Sequence, residues 1–173
     1  MFARWIGQRP ANDNVINLAF NHLMARFDLN LVFNSEDYTT TPTDIYAQIE
    51  VVKTATINLL AASPAFTPGD NKKDEVSLTG KNTPAVGMVW SGYTVVIPGQ
   101  DINACKVTLS FTADGEQKSL TYTHGESLLF QSGKRTVLNL TVNKSDVKPL
   151  EGYGDDTYDD YDFGQRSEPD FGW

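Results

Sequence analysis

The run Ile16-Asn17-Leu18-Ala19-Phe20-Asn21-His22-Leu23-Met24-Ala25-Arg26-Phe27-Asp28-Leu29-Asn30-Leu31-Val32-Phe33 decides the fold class, because its apolar residues alternate and then change parity. Ile16, Leu18, Phe20 and Met24 hold even positions, whereas Phe27, Leu29, Leu31 and Phe33 hold odd ones. Successive side chains of a strand point to opposite faces. A parity change therefore means two strands joined by an irregular turn, or one strand whose bulge re-aims its apolar face. The break falls within residues 22–26. A long apolar strand pair of this kind predicts an all-β sandwich.

The segments beyond it keep a β character. Ile45, Ala47, Ile49 and Val51 alternate, and Ala55, Ile57 and Leu59 continue in the same parity, which predicts a half-buried strand with a bend near Lys53. Residues 62–82 gather Ser63-Pro64, Thr67-Pro68-Gly69-Asp70-Asn71-Lys72-Lys73 and Thr79-Gly80. That composition reads as an exposed loop and candidate binding loop, with a short edge strand at residues 76–78. Residues 93–97 form a strand closed by Pro98-Gly99. Val107, Leu109 and Phe111 alternate up to Ala113-Asp114-Gly115-Glu116, and Leu120 and Tyr122 alternate after it, which is the pattern of a β-hairpin. In the last strand Leu138, Leu140 and Val142 face inward and Asn139, Thr141 and Asn143 outward. About seven strands with turn signals at this spacing describe a sandwich.

With 173 residues the chain is long enough for one domain with a core of its own, and 40% hydrophobic residues is a globular composition. No apolar run approaches the roughly 18 residues that would span a bilayer. The start, Met1-Phe2-Ala3-Arg4-Trp5-Ile6-Gly7, lacks the apolar core of a signal peptide, so the chain reads either as cytoplasmic or as the front-trimmed piece of an exported protein. The net charge of -8 is unevenly spread: residues 151–173 hold eight acidic side chains and one basic, leaving 14 acidic and 13 basic in residues 1–150. A nearly neutral body has no basic stripe for a phosphate backbone, so nucleic acid is not an expected partner. Residues 152–173 contain no aliphatic side chain, and their aromatics keep no period of two. This predicts a flexible or loosely docked tail rather than a strand donated to a neighbour.

Candidate chemistry is sparse. His124, Ser127 and an aspartate compose a triad on paper, but no G-x-S-x-G elbow surrounds Ser127, and surface polarity explains these residues. His22 sits on the parity break, where an imidazole bonds exposed backbone. Cys105, the lone cysteine, reads as a small, partly buried residue beside a strand, and two histidines supply no zinc pattern. Residues 155–164, Asp-Asp-Thr-Tyr-Asp-Asp-Tyr-Asp-Phe-Gly, have carboxylates for Ca²⁺ but lack the glycine and glutamate of an EF-hand loop and read as a solvated acidic tail. The expectation is a chain with no catalytic, cofactor-binding or metal-binding residues, which is not an enzyme.

Phe20-Asn21-His22-Leu23-Met24-Ala25-Arg26 resembles the "F-x-H-x-(M/L)-A-(K/R)" signature of the fimbrillin-like proteins. Val95-Val96-Ile97-Pro98-Gly99-Gln100 is similar to the family's "V-x-P-Q" step, with Gly99 extra. Residues 133–144, from Gly133-Lys134-Arg135-Thr136 to Val142-Asn143-Lys144, are similar to its final strand, with Thr136 where the family carries tyrosine. The resemblance runs over residues 15–150 and resembles only the back half of the family's chain. It implies a transthyretin-like antiparallel β-sandwich with Greek-key character and a lipid-anchored precursor exported to the outer membrane of Gram-negative anaerobes. It also implies service at the cell surface as an accessory, tip or anchor subunit of fimbriae that assembles through strand edges. The partners implied are other fimbrial subunits or host and bacterial surface ligands. Polymerising relatives are cut by an arginine-directed protease, but Arg4 and Arg9 read as ordinary surface residues. The organisation read from the sequence is an N-terminal extension over residues 1–14, the sandwich over residues 15–150 and the acidic, aromatic tail over residues 151–173. A surface module that holds glycans or proteins outside any filament is the competing reading, with exposed aromatics such as Trp90, Tyr93 or the tail tyrosines as its platform.

Overall fold

The computed structural model describes residues 22–59, 65–69, 72–81, 90–151 and 156–159. The odd-numbered apolar set of the opening run forms β1 (Ala25–Phe33), in which Phe27, Leu29 and Leu31 are wholly buried and the even-numbered residues face outward. β1 begins at Ala25, and the even-numbered residues on the other side of the expected parity break, Ile16, Leu18 and Phe20, fall outside the described residues. The chain continues as β2 (Thr43–Val52), β3 (Ala55–Ile57), β4 (Phe66–Pro68), β5 (Lys73–Ser77), β6 (Thr79–Lys81) and β7 (Trp90–Val96). After a short 3-10 turn, Ile102–Ala104, come β8 (Lys106–Ala113), β9 (Glu116–Thr123), β10 (Lys134–Val142), β11 (Val147–Pro149) and β12 (Asp156–Asp159). Seven strands among the described residues, namely β1, β2, β5, β7, β8, β9 and β10, have five residues or more.

They form two layers. In the first, β11 and β12 lie along one edge of β10, followed by β1, β7 and β6; in the second the order is β5-β2-β8-β9. Inward residues of both layers make a single core that includes Phe27, Leu31, Ile49, Leu109, Phe111 and Leu140. Burial of each such side chain contributes roughly 1.5–3 kcal/mol. Phe33, Tyr38 and Phe111 meet edge to face at one end of the core, with Phe33 and Phe111 ring centres 4.9 Å apart. Phe27 and Phe130 do so at the other, at 5.8 Å. The indole of Trp90 lies against Gly92 and its register partner Gly80, where an added Cβ would come within 2.2 and 2.0 Å of the ring. Those two glycines are small because the indole occupies the space.

The hairpin of β8 and β9 has the expected two-residue turn. Asp114 and Gly115 both take positive φ, 53° and 78°, the twist that suits a type I′ turn. The all-β sandwich is present, but it is not antiparallel throughout. β1 pairs in parallel with β10, Phe27 against Thr136 through Phe33 against Val142, and antiparallel with β7. Alternation fixes the face a side chain takes and is silent on strand direction, and the chain between β1 and β10 is ample for a parallel crossover.

Three local expectations need correction. The alternation over residues 45–59 is not one bent strand: β2 ends at Val52, and β3 leaves the sheet to pair with β4. The presumed loop at residues 62–82 holds β4, β5 and β6 in its described parts; β5 is an edge strand on β2, longer and earlier than the one expected at residues 76–78. In the tail, β12 pairs with residues 134–137 of β10, Asp159 opposite Lys134. Backbone pairing needs a vacant strand edge rather than aliphatic side chains. The calcium reading at residues 155–164 lies largely outside the described residues.

Candidate functional site

The paper triad is not assembled. The Ser127 hydroxyl bonds directly to a carboxylate oxygen of Asp101, and His124 Nδ1 lies 3.1 Å from the Tyr122 hydroxyl. Asp101 Oδ1 also accepts from the Leu128 and Asn103 backbone N–H groups, at 2.9 and 3.2 Å. These bonds, led by that from Ser127, hold its carboxyl below the usual carboxylate range. Asp101 thus staples the loop before β10 to the 3-10 turn that it caps. Cys105 is more deeply buried than its sequence context suggests, and burial pushes its thiol up to about 11, which makes it a poor nucleophile at neutral pH. Among the described residues no three His, Cys, Asp or Glu side chains gather as metal ligands, and no helix is long and apolar enough to cross a membrane.

The three sequence stretches that resemble a family turn out to be joints of the fold. Gly133 takes a φ of 68°, its N–H donates to Met24 O at 3.0 Å, and a Cβ there would meet His22 O at 3.0 Å. Ser132 Oγ donates to Leu23 O at 2.7 Å. The first stretch therefore lies along the start of the last, and His22 contributes its backbone carbonyl at the contact. The middle stretch supplies Gln100, a buried amide. Its Nε2 donates to Val52 O and Ile97 O, and its Oε1 accepts from Val52 N.

The aromatics proposed as a platform separate. Trp90 is 3% exposed and belongs to the core, which overturns its reading as a surface aromatic. Tyr93 is 44% exposed on the outer face of the first sheet, with the Arg26 guanidinium 4.5 Å over its ring. Arg26 Nε in turn bonds Asp28 at 2.6 Å, and Arg135 lies 3.7 Å from the same carboxylate. Of the tail tyrosines, Tyr158 is in β12 and pairs through its backbone with Arg135.

Among the described residues β9 pairs only with β8, so it is an open edge eight residues long. The closing pair of a two-residue hairpin is hydrogen-bonded and the pattern alternates, so the ladder groups of Gln117, Ser119, Thr121 and Thr123 point away from β8. Lys118 points inward from this edge, its ammonium 5.5 Å from the centre of the Tyr38 ring, a placement that discourages indiscriminate pairing.

Among the described residues an open concavity lies where β1 and β10 end side by side, a groove of about 510 Å³ bordered by Asn34, Ser35, Thr141 and Asn143. Asn34 follows β1 and Asn143 follows β10, so the parallel register carries on past the strands. Asn34 Nδ2 donates to Asn143 Oδ1 at 3.1 Å, as Asn30 Nδ2 does to Asn139 Oδ1 at 2.9 Å four residues, or two pleat repeats, earlier. The pair is held from below. Asn34 Oδ1 accepts from Glu36 N, Asn143 Nδ2 donates to Asp146 at 2.7 Å, and the Tyr38 hydroxyl donates to Asn143 O at 2.7 Å. Burial, with the nearby Asp37 and Asp114 charges, pushes that phenol up to about 12, so it remains a donor at physiological pH. The alternation that sets Asn139, Thr141 and Asn143 on the face opposite Leu138, Leu140 and Val142 was readable in the sequence, though Asn139 is buried there; their meeting with Asn30 and Asn34 required the parallel pairing.

Two solved structures are similar. One is a proposed cell adhesion protein from Bacteroides ovatus, 16% identical, with a TM-score of 0.53 over 83% of this chain and 48% of that one. The other is a proposed cell adhesion protein from Bacteroides fragilis, 15% identical, with a TM-score of 0.48 over 78% and 48%. The chain spans about half the length of each, and at these identities the first likeness bears on the fold alone. No curated protein matches the chain. The fimbrillin-like family model matches residues 1–153, which take in every strand from β1 to β11, and the chain belongs to the fimbrillin-like family.

Proposed function

We propose that the protein is a non-enzymatic structural or adhesive component of cell-surface fimbriae, an accessory, tip or anchor subunit derived from a lipid-anchored outer-membrane precursor. Membership of the fimbrillin-like family across residues 1–153 carries this reading. The fold supports it with a means of assembly. An open edge such as β9 offers N–H and C=O groups to an extended segment of a neighbour. An accessory place suits it better than a polymerising one. β1 already fills the position between β10 and β7, and no vacant strand position interrupts the first sheet among the described residues. The non-enzymatic reading is supported by the spending of Asp101, Ser127 and His124 on loop contacts.

The test uses cells that make the protein at natural levels. Surface material is sheared off, filaments are separated from soluble protein, and each fraction is probed with antibody. The protein is expected in the filament fraction and accessible to protease on intact cells. Recovery only from the cytoplasm would refute a fimbrial role.

A further inference from the structure

We propose that the groove at the Asn34–Asn143 end of the sandwich binds a short, neutral saccharide. This names a ligand class for the surface reading above, and it does not require that the chain be built into a filament. Its polar border carries two carboxamides and the hydroxyls of Ser35 and Thr141, while Val32, Pro149 and Leu150 supply an apolar lining. Sugar rings present that combination, hydroxyls that donate and accept around faces of C–H groups. Both carboxamides are fixed before any ligand arrives, Asn34 by Glu36 N and by Asn143, and Asn143 by Asp146. Little ordering cost remains to oppose binding.

Other ligand classes fit less well. An extended peptide needs a free ladder, but β10 is paired on one edge with β1 and on the other with β11, and β1 is paired with β10 and β7. An anion needs an available cation. The cation bordering the groove, Lys148, is 3.0 Å from Asp146, and Glu151 adds a negative charge to the same border.

The test is a nitrogen-15 NMR titration of the full chain with lactose, N-acetyllactosamine, maltotriose and sialyllactose at millimolar concentrations, the affinity range of a small, wet site. Signals of Asn34, Ser35, Thr141 and Asn143 are expected to shift with at least one neutral sugar. Thr141→Trp places an indole in the groove from the outward face of β10 and is expected to weaken binding at least about tenfold, whereas Thr121→Trp on β9 leaves it unchanged. Should Thr141→Trp fail to fold, Ser35→Trp obstructs the groove from the turn after β1. The proposal is overturned by an absence of shifts with all four sugars, by shifts that map elsewhere, by undiminished affinity in the groove variant, or by about tenfold preference for sialyllactose over lactose. Failure here leaves the filament result untouched, and failure there leaves this one.

Discussion

The Gln100 side chain and the Val52 main chain exchange two hydrogen bonds, Val52 N to Gln100 Oε1 at 2.7 Å and Gln100 Nε2 to Val52 O at 3.1 Å. The amide imitates a strand residue at the point where β2 has run past its pairing with β8, and its third bond, to Ile97 O at 2.9 Å, ties that end of β2 to the turn after β7. Since β2 and β7 belong to different sheets, one side chain fastens the two layers together. The middle stretch of the family resemblance therefore has a physical reason to end in glutamine. A shorter amide would not reach both layers, and an acidic side chain could not donate to two carbonyls.

Gln100→Leu keeps the bulk and strips the bonds. It leaves one buried N–H and two carbonyls short of partners, and each orphaned group costs about 1–3 kcal/mol. The expected loss is about 3 kcal/mol in urea unfolding followed by tryptophan fluorescence. A loss under about 1 kcal/mol would show that water takes the place of the amide.

The opposite sign is expected at Thr136. This residue is wholly buried on the inward face of β10, and its hydroxyl has no hydrogen-bond partner among the described residues. Thr136→Val preserves the shape and removes an unsatisfied polar group, so it should stabilise the fold by about 1 kcal/mol. The midpoint of urea unfolding should rise with an unchanged slope. A lower midpoint would mean that the hydroxyl is satisfied in solution.

Much of the fold was legible because its strands are half-buried. Phe27, Leu29, Leu31 and Phe33 announced their face, as did Leu138, Leu140 and Val142, and Asp114-Gly115 announced a turn that only positive φ can close. Two kinds of information were missing from the pattern. Pairing partners far apart in the chain are chosen by the assembled sheet, so neither the parallel register of β1 on β10 nor the groove that it creates could be read locally. Burial of single aromatics was equally hidden. Trp90 looked like a surface platform because the room made for it by Gly80 and Gly92 exists only once β6 and β7 are side by side.

Three carboxylates link stability to pH. Asp101 is held low by Ser127 and two backbone N–H groups, Asp114 by Thr39 and Thr40, and Asp146 by Asn143 and Lys148. In each case the folded-state pKa lies below the unfolded value, near 3.9, so the unfolded chain binds more protons in this range. Their stabilising contribution is complete above about pH 5 and is lost as pH falls through the folded values. Asp114→Asn isolates one of them, because asparagine also tolerates the positive φ of the turn. The variant should be less stable than the parent at neutral pH and converge on it in acid. A constant gap across urea titrations from about pH 2 to pH 7 would remove Asp114 from the linkage.

The open edge of β9 can be tested without disturbing the core. Thr121 has its N–H directed away from β8, so Thr121→Pro deletes a group that the chain's own ladder does not use, and edge positions accept proline for this reason. Leu120 is its contrast. It pairs with Leu109 at a hydrogen-bonded position, so Leu120→Pro breaks the hairpin's own ladder and should cost about 3 kcal/mol or more. Thr121→Pro is expected to change stability by less than about 1 kcal/mol while excluding the protein from sheared filaments. If Thr121→Pro enters filaments as readily as the parent, β9 is not the edge through which subunits meet. Should it unfold the chain as Leu120→Pro does, the hydrogen-bond phase assigned to the hairpin is the wrong one.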